Sequence, residues 1–124
     1  GNPHWTWGAT ALLFIAIIWL SVAPQPEREA ERVARFAEAQ GFDEVHDIVT
    51  SRCSMCHADE PVWAGLLWAP KGVALETPAD LTRNARAVYL QSGISHAMPP
   101  ANLSYMEAEE RAAIVAWYRD ATGF

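Results

Sequence analysis

The chain has 124 residues, only two cysteines and a formal net charge of −6. This length allows one domain with an appendage, and the acidic balance argues against nucleic acid and favours basic or mixed-charge protein partners. The sequence starts at Gly1 without an initiator methionine, which indicates a fragment or a processed piece.

The N-terminal segment is continuously apolar. No charged residue occurs from Trp5 to Ala23, and a helix of this length, at about 1.5 Å per residue, matches a hydrocarbon core about 30 Å thick. Trp5, Trp7 and Trp19 lie near its ends, where interfacial aromatic residues are expected. We therefore predict that residues 1–26 form a retained transmembrane helix followed by a proline linker.

A secretory signal peptide is the alternative for this segment. Ser21-Val22-Ala23 resembles a cleavage site, but a basic leading region is missing and Pro24 would follow the cut. Pro24-Gln25-Pro26 is expected to stop the helix.

Residues 27–41 have a different composition, rich in Ala, Glu and Arg, with opposite charges at helical spacing such as Glu31 and Arg35. The apolar stripe is narrow and comprises Val33, Phe36 and Ala37. This pattern predicts a solvated helical stalk that ends at Gly41.

The motif Cys53-Ser54-Met55-Cys56-His57 has the C-x-x-C-H pattern of covalent c-type haem attachment. Cys53 and Cys56 would form thioethers to the haem vinyl groups, and His57 would be the proximal iron ligand. A redox dithiol or half of a zinc site are the alternatives, although zinc would need two more ligands and no second C-x-x-C occurs.

A helix is expected to lead into this motif, with Asp43 as its N-cap and Val45, Ile48 and Val49 at helical spacing. The following residues, 58–76, predict a long irregular region that wraps around a cofactor. A proximal imidazole needs its other nitrogen hydrogen-bonded, and the carbonyl of Pro70 is the predicted acceptor.

Thr77-Pro78-Ala79-Asp80 has the features of a helix start, namely a capping threonine, proline at the first position and an acid in the first turn. We predict a helix from there to about Ser92, with Gly93 as its stop. This helix would lead to the segment that carries the second iron ligand.

Met98 is the predicted distal ligand, because it stands before two prolines that stiffen its loop. His96 is its competitor, since a bis-histidine iron has a lower potential than a His/Met iron. Met55 lies inside the attachment loop, and Met106 is expected to pack in the core.

The last helix is predicted to start at a capping box formed by Ser104 and Glu107. Its residues Ile114 and Trp117 would pack on the face of Val45 and Ile48. No stretch alternates like a strand, so we predict an all-α domain over residues 42–124 in which three main helices enclose a haem.

Both axial positions of a His/Met iron are filled, which suits one-electron transfer rather than binding of oxygen or peroxide. A gas sensor or peroxidase would need an open distal position, with His96 as the conspicuous polar residue. Haem attachment on the outer side of bacterial membranes places the C-terminal domain in the periplasm. The positive-inside rule, applied to Arg28, Arg32 and Arg35, would favour the opposite orientation.

The motif set resembles class I cytochrome c from about Asp43 to Gly123. The runs Cys56-His-Ala-Asp-Glu-Pro-Val-Trp63, Ala69-Pro-Lys-Gly-Val73, Ser95-His-Ala-Met-Pro-Pro100 and Trp117-Tyr-Arg119 also resemble the C-terminal cytochrome of the membrane-bound bacterial urate oxidases, or urate hydroxylases. In that family a multi-helix membrane domain carries urate oxidation and passes electrons to the haem.

This resemblance implies a cytochrome of the inner membrane of a bacterium. Its electron donor would be a membrane oxidoreductase domain or subunit, and its acceptor a cytochrome or a terminal oxidase. No substrate-binding residue of that family can be carried over to this chain, so urate specificity follows from the resemblance alone. A free-standing anchored cytochrome that serves a terminal oxidase is the alternative.

Overall fold

A computed structural model describes residues 1–23 and 26–124 of the chain, except for the side chains of residues 26 and 27. The predicted linker residues Pro24 and Gln25 lie outside this part. Helices account for most of the described residues and no strand occurs among them, which confirms the all-α prediction. The helices are α1 (His4–Val22), α2 (Pro26–Glu38), α3 (Phe42–Cys53), α4 (Pro78–Arg83), α5 (Ala85–Val88) and α6 (Ala108–Thr122).

Helix α1 is the apolar segment of the sequence. It has 19 residues with a mean hydropathy of 1.8, and none of its side chains is buried. The helix is therefore long and apolar enough to cross a membrane. A signal sequence near an N-terminus can also be this long and this apolar.

Helix α2 packs on the domain and is not a free stalk, so this part of the sequence prediction was wrong. Phe36 is buried in the core, its ring lies 5.3 Å from that of Trp117, and its carbonyl accepts a 2.9 Å hydrogen bond from the Trp117 indole. Arg83 of α4 pairs with Glu29 at 3.2 Å. The narrow apolar stripe of α2 is enough to pack this helix on the core, because the large ring of Phe36 fills the contact with Trp117.

Helices α3 and α6 form the centre of the core, as predicted. Val45, Ile48, Ile114 and Trp117 belong to one buried cluster. Two predicted caps were wrong, however: α3 begins after Gly41, which has φ +84°, and α6 begins after Glu107, whose capping box pairs with Glu110. Asp43 instead lies in the first turn of α3, where the helix dipole also favours an acid.

The predicted helix from Thr77 to Ser92 is interrupted. The Thr77–Asp80 capping box forms as expected, but the backbone breaks at Asn84 and the last part is a π-helical turn, Tyr89–Ile94. Gly93 lies inside this turn and does not end a helix. A Cβ atom at Gly93 would lie 2.8 Å from Cγ2 of Val115 on α6, so the glycine permits close packing of the turn on α6.

We predict that Gly93→Ala lowers the free energy of unfolding by about 1–3 kcal/mol, because the added methyl group must displace Val115. Urea unfolding of the detergent-solubilised chain would measure this. Gly8→Ala is a matched control, since a Cβ there meets nothing within 4 Å. The combined Gly93→Ala/Val115→Ala variant should lose less stability than the sum of the two single changes; additive losses would contradict the proposed clash.

Candidate cofactor site

The C-x-x-C-H motif occupies the end of α3 and the turn that follows it. Cys53 is the last residue of α3, and its carbonyl accepts hydrogen bonds from the amides of Cys56 at 3.2 Å and His57 at 2.9 Å. Cys53 is buried, Cys56 is half-buried, and both are free thiols. One helical turn therefore groups the three side chains that the motif predicts.

The imidazole of His57 is held by a backbone carbonyl. Its Nδ1 lies 2.7 Å from the carbonyl oxygen of Val73. A carbonyl oxygen only accepts, so Nδ1 carries the proton and Nε2 keeps its lone pair free for a metal. The carbonyl of His57 in turn accepts from the amide of Leu75 at 2.7 Å, which fixes the loop against the motif.

The prediction that the Pro70 carbonyl accepts the hydrogen bond of His57 was wrong. The acceptor is the carbonyl of Val73, three residues later. The Pro70 carbonyl accepts the amide of Val73 at 3.1 Å, within the 3-10 turn Pro70–Gly72. This local bond uses the Pro70 carbonyl and turns the chain so that Val73 presents its own carbonyl to His57. Lys71 in this turn has φ +56°. Non-glycine residues rarely adopt this conformation, so the sequence around Pro70 does not predict the turn.

The Met98 segment is fixed at its backbone. The amide of Met98 donates to the carbonyl of Gln91 at 3.0 Å, and its carbonyl accepts from Nη1 of Arg111 at 2.9 Å. Met98 is half-buried, Pro99 is buried, and the bond between them is cis. Met106 is buried in the core as predicted.

His96, the alternative ligand, is exposed and has φ +56°. It lines an open groove on the α6 side together with Arg111 and Arg119.

Arg52, the residue before Cys53, ties the motif to the start of α6. Its guanidinium donates to the carboxylate of Glu110 at 2.9–3.1 Å and to the carbonyl of Ser104 at 2.9 Å. The next residue of α6, Arg111, bonds the Met98 carbonyl. Two consecutive residues of α6 thus hold the C-x-x-C-H turn and the Met98 segment.

The sequence prediction did not include Arg52, Glu110 or Arg111. A signal for Arg111 was present, because it precedes Ile114 by three residues and so falls on the apolar face of α6. A charged residue in an apolar stripe indicates a buried polar contact.

The environment of Cys53 does not suit a redox dithiol. Burial and the neighbouring Cys56 raise the pKa of the Cys53 thiol to about 12, and the charge of Arg111 opposes this only in part. Reactive C-x-x-C thiols have lowered pKa values and are favoured at helix N-termini, whereas Cys53 ends a helix. Among the described residues, no group of three or more His, Cys, Asp or Glu side chains gathers around a common metal position.

Large apolar side chains remain exposed in the two segments that follow the motif and precede Met98. Such exposure is typical of surfaces that a ligand or partner covers. Together with two free thiols in one turn and an imidazole with a free Nε2, it fits a covalently attached haem. The exposed residues are Val62, Trp63, Leu67 and Trp68 in the first segment, and Leu90 and Ile94 in the second.

Comparison of the chain with protein-family models, curated proteins and solved structures finds no match. Arguments about function therefore depend on the residues of this chain.

We predict that Glu110 contributes to acid stability. Its partial burial would raise the pKa of the carboxyl, but hydrogen bonds from Arg52 and the Glu107 amide outweigh this and lower it. A lowered folded pKa gives stability that is present above the unfolded value of about 4.3 and is lost as the pH falls through the folded value. Glu110→Gln should therefore be less stable than the native chain at pH 7, and this difference in stability should narrow as the pH falls below about 4.

Urea unfolding at pH 7 and in steps down to pH 3 would check this prediction. Glu109→Gln is the matched control, because Glu109 is the exposed neighbour in the same helical turn. A stability gap between native chain and Glu110→Gln that stays constant over this range would contradict the role of the ion pair.

Proposed function

We propose that residues 26–124 form a c-type cytochrome domain that carries one covalently attached haem and transfers single electrons. Cys53 and Cys56 would hold the haem through thioethers, and His57 and Met98 would be the axial ligands. The haem supplies a one-electron redox couple when bound. The all-α architecture agrees with a class I cytochrome c-like fold, which we propose for this domain.

The observation that carries the proposal is the 2.7 Å contact between Nδ1 of His57 and the Val73 carbonyl. Within a C-x-x-C-H turn this contact sets the tautomer that an iron ligand needs and orients the ring. A surface histidine or a dithiol enzyme would have no need for such an acceptor from a residue 16 positions away. The loop from residue 58 to residue 76 therefore serves to bring this carbonyl to the ring.

Electron transfer, rather than ligand binding, is supported by the Met98 segment. Its amide and its carbonyl are both hydrogen-bonded and its following proline is buried. A methionine whose backbone is fixed in this way would lose less conformational freedom on binding iron than one in a mobile loop. If His57 and Met98 both bind the iron, the site would be suited to one-electron transfer and not to activating oxygen or peroxide.

We propose that α1 anchors this domain in the inner membrane of a bacterium, with the haem domain in the periplasm. The support is the length and hydropathy of α1 and its lack of buried side chains, together with the outer-side location of haem attachment. The proposed donor is the membrane domain of a urate oxidase, which rests on the sequence resemblance alone. The acceptor would be a cytochrome or terminal oxidase.

The first test is haem attachment. The chain, produced in the periplasm with haem maturation machinery, should keep its haem under denaturing electrophoresis, because thioether bonds survive unfolding. Cys53→Ser and Cys56→Ser should each weaken this retention, and the double variant should abolish it. Haem that dissociates from the native chain on denaturation would overturn the proposal.

The second test is the distal ligand. The oxidised native protein should show the weak near-infrared sulfur-to-iron band, and its reduced form should resist carbon monoxide. Met98→Ala should lose the band and bind carbon monoxide readily, whereas Met55→Leu, a control inside the attachment turn, should keep the native behaviour. A native protein without the band that binds carbon monoxide directly would favour an open distal site or ligation by His96.

The third test concerns the donor. In native membranes that contain this cytochrome, added urate should reduce the haem, and the haem should be reduced at least as fast as urate is consumed. Reduction by respiratory donors but not by urate would favour the alternative of a free-standing anchored cytochrome that serves a terminal oxidase. Hypoxanthine is a suitable control purine.

A further inference from the structure

Arg111 is a buried cation in an unusual setting. Its residue is only 7% exposed, and among the described residues no carboxylate lies within ion-pair distance of its guanidinium. A buried charge without a counter-ion is costly unless hydrogen bonds satisfy it. The burial of Arg111 therefore depends on its hydrogen-bond partners, and these partners indicate its role.

The hydrogen bonds of Arg111 join three segments. Nη1 donates to the carbonyls of Ser92 at 2.6 Å and Met98 at 2.9 Å, and Nη2 donates to Oδ1 of Asn102 at 3.1 Å. Ser92 is in the π-helical turn before Met98, and Asn102 is in the 3-10 turn after it. One planar guanidinium thus fixes the Met98 segment before, at and after the methionine.

We infer that Arg111 is the positioning residue for Met98 and that its buried charge raises the reduction potential of the site. This inference rests on the proposed haem function. The rigid fork of the guanidinium limits the positions that the Met98 thioether can take. A positive charge at the Met98 carbonyl favours the reduced iron, because the oxidised iron carries one more positive charge.

The two contributions can be separated by two substitutions. Arg111→Lys keeps the charge but replaces a fork by a single ammonium group, which cannot reproduce the geometry of three acceptors. Arg111→Gln removes the charge as well. Both should loosen Met98, and only Arg111→Gln should also lose the electrostatic contribution.

The experiment uses the full haem-loaded chain in detergent. Carbon monoxide binding to the reduced protein measures how easily Met98 is displaced, and a redox titration measures the potential. Carbon monoxide affinity should rise at least tenfold in both variants. In Arg111→Gln the ratio of reduced to oxidised protein at fixed potential should also fall about tenfold, a shift of about 59 mV, with a smaller shift in Arg111→Lys.

Arg119→Gln is the matched control, because it removes the same formal charge from the same helix at an exposed position. It should leave carbon monoxide affinity unchanged and shift the potential less than Arg111→Gln does. A purely structural role for Arg111 would lower stability without this difference in potential.

The inference is overturned if Arg111→Lys and Arg111→Gln exclude carbon monoxide as well as the native protein does. If Arg111→Gln fails to retain haem, Arg111→Lys decides: unchanged carbon monoxide affinity overturns the positioning role, and a tenfold rise supports it. A native protein without the sulfur-to-iron band would instead show that Met98 ligation, and hence the proposed function, is wrong.

Discussion

The start of α6 holds the two parts of the site through adjacent side chains. Glu110 binds Arg52, which precedes Cys53, and Arg111 binds the Met98 carbonyl. Because both residues belong to one helical turn, the motif and the methionine segment are both fixed to the same rigid helix. Core packing of α3 on α6, centred on Trp117, keeps that turn in place. The geometry of the site therefore depends on how α6 packs against α3.

This arrangement explains how a domain with long irregular segments can hold the proposed ligands His57 and Met98 in fixed positions. The chain from residue 58 to residue 76 has few elements of its own, yet its carbonyl at Val73 reaches His57 at hydrogen-bond distance. Around Met98, backbone bonds to Gln91 and Arg111 replace regular structure. Loops can serve as ligand carriers when such contacts fix their backbone.

Charge is used differently on the two sides of α6. The Arg52–Glu110 pair is partly exposed and its charges compensate each other, so it fastens α3 to α6 without changing the local field greatly. The Arg111 charge is buried among carbonyl and amide oxygens. If the domain carries a haem as proposed, only the buried charge of Arg111 changes its reduction potential, because burial preserves the field of a charge.

The amino-acid sequence by itself determined the all-α class, the apolar helix α1, the Thr77 cap, the apolar faces of α3 and α6 and the five-residue motif, since each follows from local spacing and periodicity. Only the tertiary structure decided that Val73 and not Pro70 bonds His57, that α2 packs on the core, and that Arg111 holds Met98. These contacts join residues 13 to 81 positions apart. Local patterns cannot specify such pairs, because they depend on how positive-φ turns and packed helices place the backbone in space.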